Sequence, residues 1–167
     1  MRTLERGWWS AKVHRAWTYL HAPVTAGERG ELASWLSPAQ VALFDTMPAG
    51  DRRHGLDVVA HLRDTAAAEP DLLVAGLLHD CGKGPAVRLA HRVAWSLGQH
   101  YGAWIWRAAG HVPTFKTGLA RLRDHSQRSA ELAAAAGCTA RTIELIRNQE
   151  TPTDDAGRLL FAADEAN

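Results

Sequence analysis

The sequence predicts an all-α protein, and three observations carry that expectation. Helix-start signatures recur: Thr25 followed by Glu28, and Ser37-Pro38 followed by Gln40, both have the form of a capping box. Apolar residues repeat at intervals of three and four rather than two. β-branched residues are sparse, and few stretches alternate apolar with polar.

The elements follow in order. Leu4, Trp8, Val13, Trp17 and Leu20 have roughly helical spacing and predict an amphipathic helix over residues 1–20, broken at His21-Ala22-Pro23. His14 and His21 read as surface histidines. A second helix is expected from Thr25 to Leu36, and a third from Ser37 to about Met47-Pro48. Asp51 can cap a fourth, which places His54, Val58, His61 and Leu62 on one face. Glu69-Pro70-Asp71 separates it from the apolar run Leu72 to Leu78. Gly84-Pro85 opens a helix from Ala86 to about Gly98, with Val87, Leu89, Ala90, Val93, Ala94 and Leu97 inside. Tyr101 to Ala109 is aromatic and stops at Gly110; Trp95, Trp104 and Trp106 read as core or interface residues. His111 to Gly118 reads as a loop. Asp124-His125 opens a helix ending at Gly137. Thr139 caps the next, which runs into Arg147-Asn148-Gln149-Glu150. The last helix spans Asp154 to Asn167, with Asp154, Asp155 and Glu165 as solvated end charges and Leu160 and Phe161 on the face of Asp164. No repeat or linker interrupts the chain. One domain, 1–167, is expected, with N-terminal helices (1–48) packed on a core (51–167).

At 167 residues and 46% hydrophobic, the chain can bury a sizeable core. Lys+Arg is 19 against 18 Asp+Glu, which argues against binding long nucleic acid. The most apolar stretch, Val93 to Val112, is broken by Gln99, His100 and Arg107, so no membrane partner is expected. The start carries Arg2, Glu5 and Arg6 and no apolar signal core, so a cytoplasmic location is expected. Cys81 and Cys138 form neither a disulfide framework nor a CxxC knuckle; Cys81 reads as a buried filler.

The chemistry concentrates where the apolar run ends, in His79-Asp80-Cys81-Gly82-Lys83-Gly84. The run belongs inside the protein, so it carries His79 and Asp80 to the edge of the core. Charge there is costly unless paired or bound to metal. Adjacent residues on a helix diverge by about 100°, so both can face one point only if the backbone turns, which Gly82 and Gly84 permit. His54 heads an apolar stripe, where a packed histidine and a ligand are both open readings. Asp164 follows Leu160 and Phe161 and needs a partner.

His79-Asp80 with its apolar lead-in and the following Gly82-Lys83 resembles the signature of the HD-domain metal-dependent phosphohydrolases. The resemblance covers roughly Asp51 to Asn167. It implies a compact HD-type helical bundle with extra N-terminal helices. It implies that His54, His79, Asp80 and Asp164 hold one divalent ion. Two imidazoles and two carboxylates suit Mn²⁺, Fe²⁺, Co²⁺, Ni²⁺ or Mg²⁺, and Zn²⁺ also fits. Asp80 and Lys83 are then the catalytic candidates. Lys83, Arg53, His125, Arg128 and Gln149 are candidates for substrate binding. The chain departs from the fuller family pattern at Asn148-Gln149, where many relatives carry histidines, and this counts against a second metal. The implied activity is hydrolysis of a phosphate ester of a nucleotide or similar small molecule. The alternative is a non-catalytic module that binds a nucleotide or a protein. A homodimer is compatible with either.

Overall fold

Capping chemistry sets where the helices begin. The computed structural model describes residues 23–65 and 69–167. The helix expected over 1–20, with His14 and His21, lies outside the described residues. Within them are α1 (Ala26–Leu32), α2 (Pro38–Thr46), α3 (Ala49–Asp64), α4 (Pro70–Leu78) and α5 (Leu89–Tyr101). They are followed by α6 (Trp104–Ala109), α7 (Pro113–Arg123), α8 (His125–Ala135), α9 (Ala140–Arg147) and α10 (Asp155–Ala166). The fold is all-α, with no strand among the described residues. Thr25 and Ser37 make the expected capping boxes, and Thr139 and Asp154 accept from backbone N–H groups at the starts of α9 and α10. No helix is long and apolar enough to cross a membrane among the described residues.

α4 is the hub. Its run Leu72, Val74, Ala75, Gly76, Leu77 and Leu78 is buried, and it touches α2, α3, α9 and α10. Phe44, Val58, Leu62, Ile146 and Leu160 close around it. Burying each such side chain stabilises the fold by about 1.5–3 kcal/mol. α3 crosses α4 closely, with a glycine on each side. A Cβ on Gly55 would lie 2.5 Å from the Leu77 carbonyl oxygen, and one on Gly76 would lie 2.8 Å from Leu62 Cδ1. α5, α6 and α7 pack on one another, and α7 leads back to α8.

Several expectations are corrected. α1 stops at Leu32, and the chain reaches buried Leu36 through turns. Asp51 does not cap α3: the N-cap is Pro48, and Asp51 is buried and accepts from the Arg92 Nη2 at 2.5 and 2.7 Å. α5 begins at Leu89 rather than Ala86, because Gly84 at φ +63° turns the chain first; Val87 is buried within that turn. Val93 and Phe161 face solvent. The expected loop over 111–118 is largely helix: Pro113 sits in the first turn of α7, and Gly118 packs against the ring of His91. Trp95 stacks on Trp106 with centroids 4.7 Å apart, whereas Trp104 is 60% exposed. Asp154 is more than a solvated end charge, since it caps α10 and pairs with Arg141.

Candidate metal centre

Four helices converge where α4 ends. His79 is the C-cap of α4, and turn hydrogen bonds from Cys81 N to Leu78 O and from Lys83 N to Asp80 O fold the motif back. That turn is pressed onto α8. The Gly82 N–H donates to Ser129 Oγ at 2.8 Å, and a Cβ on Gly82 would lie 2.5 Å from His125 O and Ser129 N. Gly82 is therefore required for close approach; the positive φ belongs to Gly84. α3 contributes His54, α10 contributes Asp164, and α8 contributes His125.

The polar atoms meet in a small volume. His54 Nε2 lies 2.8 Å from Asp164 Oδ1, and His79 Nε2 lies 3.4 Å from the same oxygen. His79 Nε2 is 3.5 Å from Asp80 Oδ1. His54, His79 and Asp164 each offer a ligand atom within 4.8 Å of the others. Asp80 falls outside that mutual trio and joins it through His79. His79 Nε2 and Asp80 Oδ1 are both buried without a hydrogen-bond partner.

The surroundings fix the roles of these atoms. His79 Nδ1–H donates to Gly76 O at 2.9 Å, so when the ring is neutral its Nε2 lone pair faces the cluster. His125 is arranged alike: Nδ1–H donates to Leu122 O at 2.6 Å, and Nε2 sits 3.5 Å from Asp80 Oδ1. Lys83 Nζ donates to Asp80 Oδ2 at 2.5 Å, leaving Oδ1 for the cluster.

Charge follows geometry. Burial pushes the His79 imidazole down, but the carboxylates of Asp80 and Asp164 outweigh it and raise its pKa to about 9. Burial pushes Asp80 up, yet Lys83, His79 and His125 hold it well below the usual carboxylate range. Asp164 is likewise held low against burial, by His79 and His54. Burial, with Lys83 adding to it, lowers His125 and favours the neutral ring. Two carboxylates thus stay ionised around a proton on His79, an arrangement that also suits a cation.

The donor set passes a geometric test for one. Metal–ligand bonds of about 2.1 Å separate neighbouring ligand atoms by about 3.0 Å in an octahedron and about 3.4 Å in a tetrahedron. The observed separations of 2.8, 3.4 and 3.5 Å lie within about 0.2 Å of one or other of those values. A hydrogen-bonded His54–Asp164 pair alone would account for the first distance, but not for the buried, unpartnered atoms of His79 and Asp80.

Not every candidate reaches the centre. Arg53 is turned away, paired with Glu28 at 2.6 Å and Asp57 at 3.0 Å. Gln149 is a strut rather than a substrate contact: it is buried, and its amide donates to the His79 carbonyl at 3.2 Å. Arg128 lies against the motif turn, its Nε 3.4 Å from Gly82 O. His61 is only partly buried on α3. Sequence reasoning missed Ser129, which nothing in a run of small residues marks. It also misread Asp51, although a carboxylate one helical turn before His54 shares its face. Compared with protein-family models, curated proteins and solved structures, the chain matches none.

Proposed function

We propose that the protein is a divalent-metal-dependent phosphohydrolase of the HD type, acting on a phosphate ester of a nucleotide or a related small molecule. One observation carries the reading: His79 Nε2 and Asp80 Oδ1 are buried, lack hydrogen-bond partners, and converge with His54 Nε2 and Asp164 Oδ1. An unsatisfied buried polar atom costs about 1–3 kcal/mol, so two together suggest a ligand that satisfies both.

A bound divalent ion supplies Lewis acidity and lowers the pKa of water from ~15.7 toward ~7. The protein's own groups do the rest. Lys83 neutralises one oxygen of Asp80 and turns the other inward. Gly76 O fixes the His79 tautomer and Leu122 O that of His125. His125 Nε2, unprotonated in the neutral ring and 3.5 Å from Asp80 Oδ1, can accept a hydrogen bond from a water at the centre. In hydrolysis the water oxygen forms a bond to phosphorus, the ester P–O bond breaks, and the departing oxygen takes a proton.

A second reading, a nucleotide- or protein-binding module without turnover, is favoured by Gln149 standing where a further histidine is expected. Elemental analysis and phosphate release from a panel of nucleotides and a chromogenic diester separate the two. The hydrolase holds about one ion per chain, and its turnover vanishes with chelator and in Asp80→Ala. Unchanged metal content in His79→Ala, or no metal in the wild type, ends the proposal.

A further inference from the structure

Seven arginines among the described residues are held closely by carboxylates. Arg29, Arg53, Arg63, Arg92, Arg123, Arg141 and Arg158 each pair with a carboxylate within 3.1 Å. Arg128 differs. It lies one helical turn after His125 on α8, so it shares the face that looks at the motif turn. Its Cβ packs so closely on Gly82 that a side chain there would lie 2.9 Å from it. Its Nε is directed to the Gly82 carbonyl at 3.4 Å. No carboxylate pairs with it among the described residues; the neighbouring Asp124 is taken by Arg123 at 2.8 Å. The guanidinium is thus anchored by its stem and Nε beside the centre, with both terminal amino groups uncommitted. Lys83, the other cation of the turn, is committed to Asp80.

We infer that Arg128 is the specificity-determining contact for unesterified phosphate oxygens, and that it makes the centre selective for phosphomonoesters over phosphodiesters. The inference rests on the phosphohydrolase reading and narrows its substrate class. A guanidinium is a planar fork that grips two oxygens of one phosphate at once. A monoester has three unesterified oxygens, so it can turn one toward the His-Asp cluster and still offer two to the fork. A diester has two and would leave the fork half filled. Charge points the same way. With Lys83 set against Asp80, Arg128 is a cation of the turn without a direct carboxylate pair among the described residues, available to the second negative charge of a monoester dianion. Asp124, one helical turn before Arg128, feels its charge, but it is 51% exposed and already paired with Arg123, so water screens that interaction.

The test uses the full chain loaded with Mn²⁺ and two probes, inorganic phosphate and dimethyl phosphate, titrated by calorimetry. The wild type should bind phosphate at least tenfold more tightly than dimethyl phosphate. Arg128→Gln should weaken phosphate about 10- to 100-fold, as loss of a charge-assisted pair does. Dimethyl phosphate should change by less than about threefold, so the preference collapses. Manganese per chain should stay at the wild-type level, Arg128→Lys should recover part of the affinity, and Arg107→Gln, an exposed arginine on α6, should behave as wild type. Phosphate binding by Arg128→Gln within twofold of wild type, at full metal content, overturns the inference while leaving the phosphohydrolase reading intact. Loss of manganese or of thermal stability in both Arg128 variants makes the residue a clamp on the turn and also overturns it. A wild type that takes up no metal fails the underlying reading instead, and the inference falls with it.

Discussion

Gly55→Ala offers the sharpest test of how the fold builds the centre, because two effects of opposite sign compete. In a helix interior, alanine is favoured over glycine by about 1 kcal/mol. Here the new Cβ would lie 2.5 Å from the Leu77 carbonyl oxygen and 3.3 Å from its carbon. Ordinary C···O contacts are about 3.3–3.6 Å, so the helices must part by roughly 0.8 Å or more. The obstacle is backbone, which no rotamer change relieves. Overpacking of this kind costs about 1–3 kcal/mol or more, so the close approach should at least cancel the propensity gain and leave a net loss of up to about 2 kcal/mol. For a chain this size that is a fall in Tm of up to about 8 °C. Gly55 adjoins His54, and Leu77 lies two residues before His79, so the same displacement spreads the histidines and should weaken metal binding tenfold or more. Gly30→Ala is the control: exposed on α1 with nothing within 4 Å of its Cβ, it should raise Tm by about 2–4 °C. Circular dichroism melts in chelator, followed by metal titration, read both. A Gly55→Ala protein that gains stability as Gly30→Ala does, with unchanged metal affinity, refutes the reasoning.

Ser129→Ala removes the acceptor of the buried Gly82 N–H and should cost about 1–3 kcal/mol in urea denaturation. His79 is raised in the metal-free fold, so the stability it supplies is complete below its ordinary value of 6.5 and is lost as pH rises through about 9. Metal binding needs the neutral ring, so adding the ion between pH 7 and 8 in weak buffer should release close to one proton per ion; none released would contradict the assignment of His79.

The helix starts were the most legible part of the sequence, because a cap is a local device. Thr25, Ser37 and Thr139 needed only their own next few residues to be read. Pro113 carried the same information as Pro38, but without a capping serine before it the segment read as loop. Asp51 shows the opposite limit. A carboxylate at a helix start looks like a cap, and only Arg92, far along the chain on α5, makes it a buried ion partner. His54, His79 and Asp164 were legible as a set through a family pattern; their mutual distances depend on how α3, α4 and α10 cross, which spacing alone does not encode. Arg53 and Gln149 were named for their chemistry and proximity in sequence, and packing sent one outward and the other behind His79.

The cost of this arrangement is itself an argument for what it does. A core of this quality would be more stable with apolar side chains at His79 and Asp80, since burying ionisable groups is rarely repaid by their pairing. The protein instead places two almost fully buried ionisable residues at the end of its most apolar helix and surrounds them with devices that fix their orientation. Gly76 O turns one lone pair inward, Lys83 occupies one carboxylate oxygen, and Gln149 ties down the backbone of His79. Each leaves the inward-facing atom free. A fold that only needed stability would have paired those atoms with each other at hydrogen-bond distance; at 3.5 Å, His79 Nε2 and Asp80 Oδ1 stand apart by about the gap that one shared ligand would span.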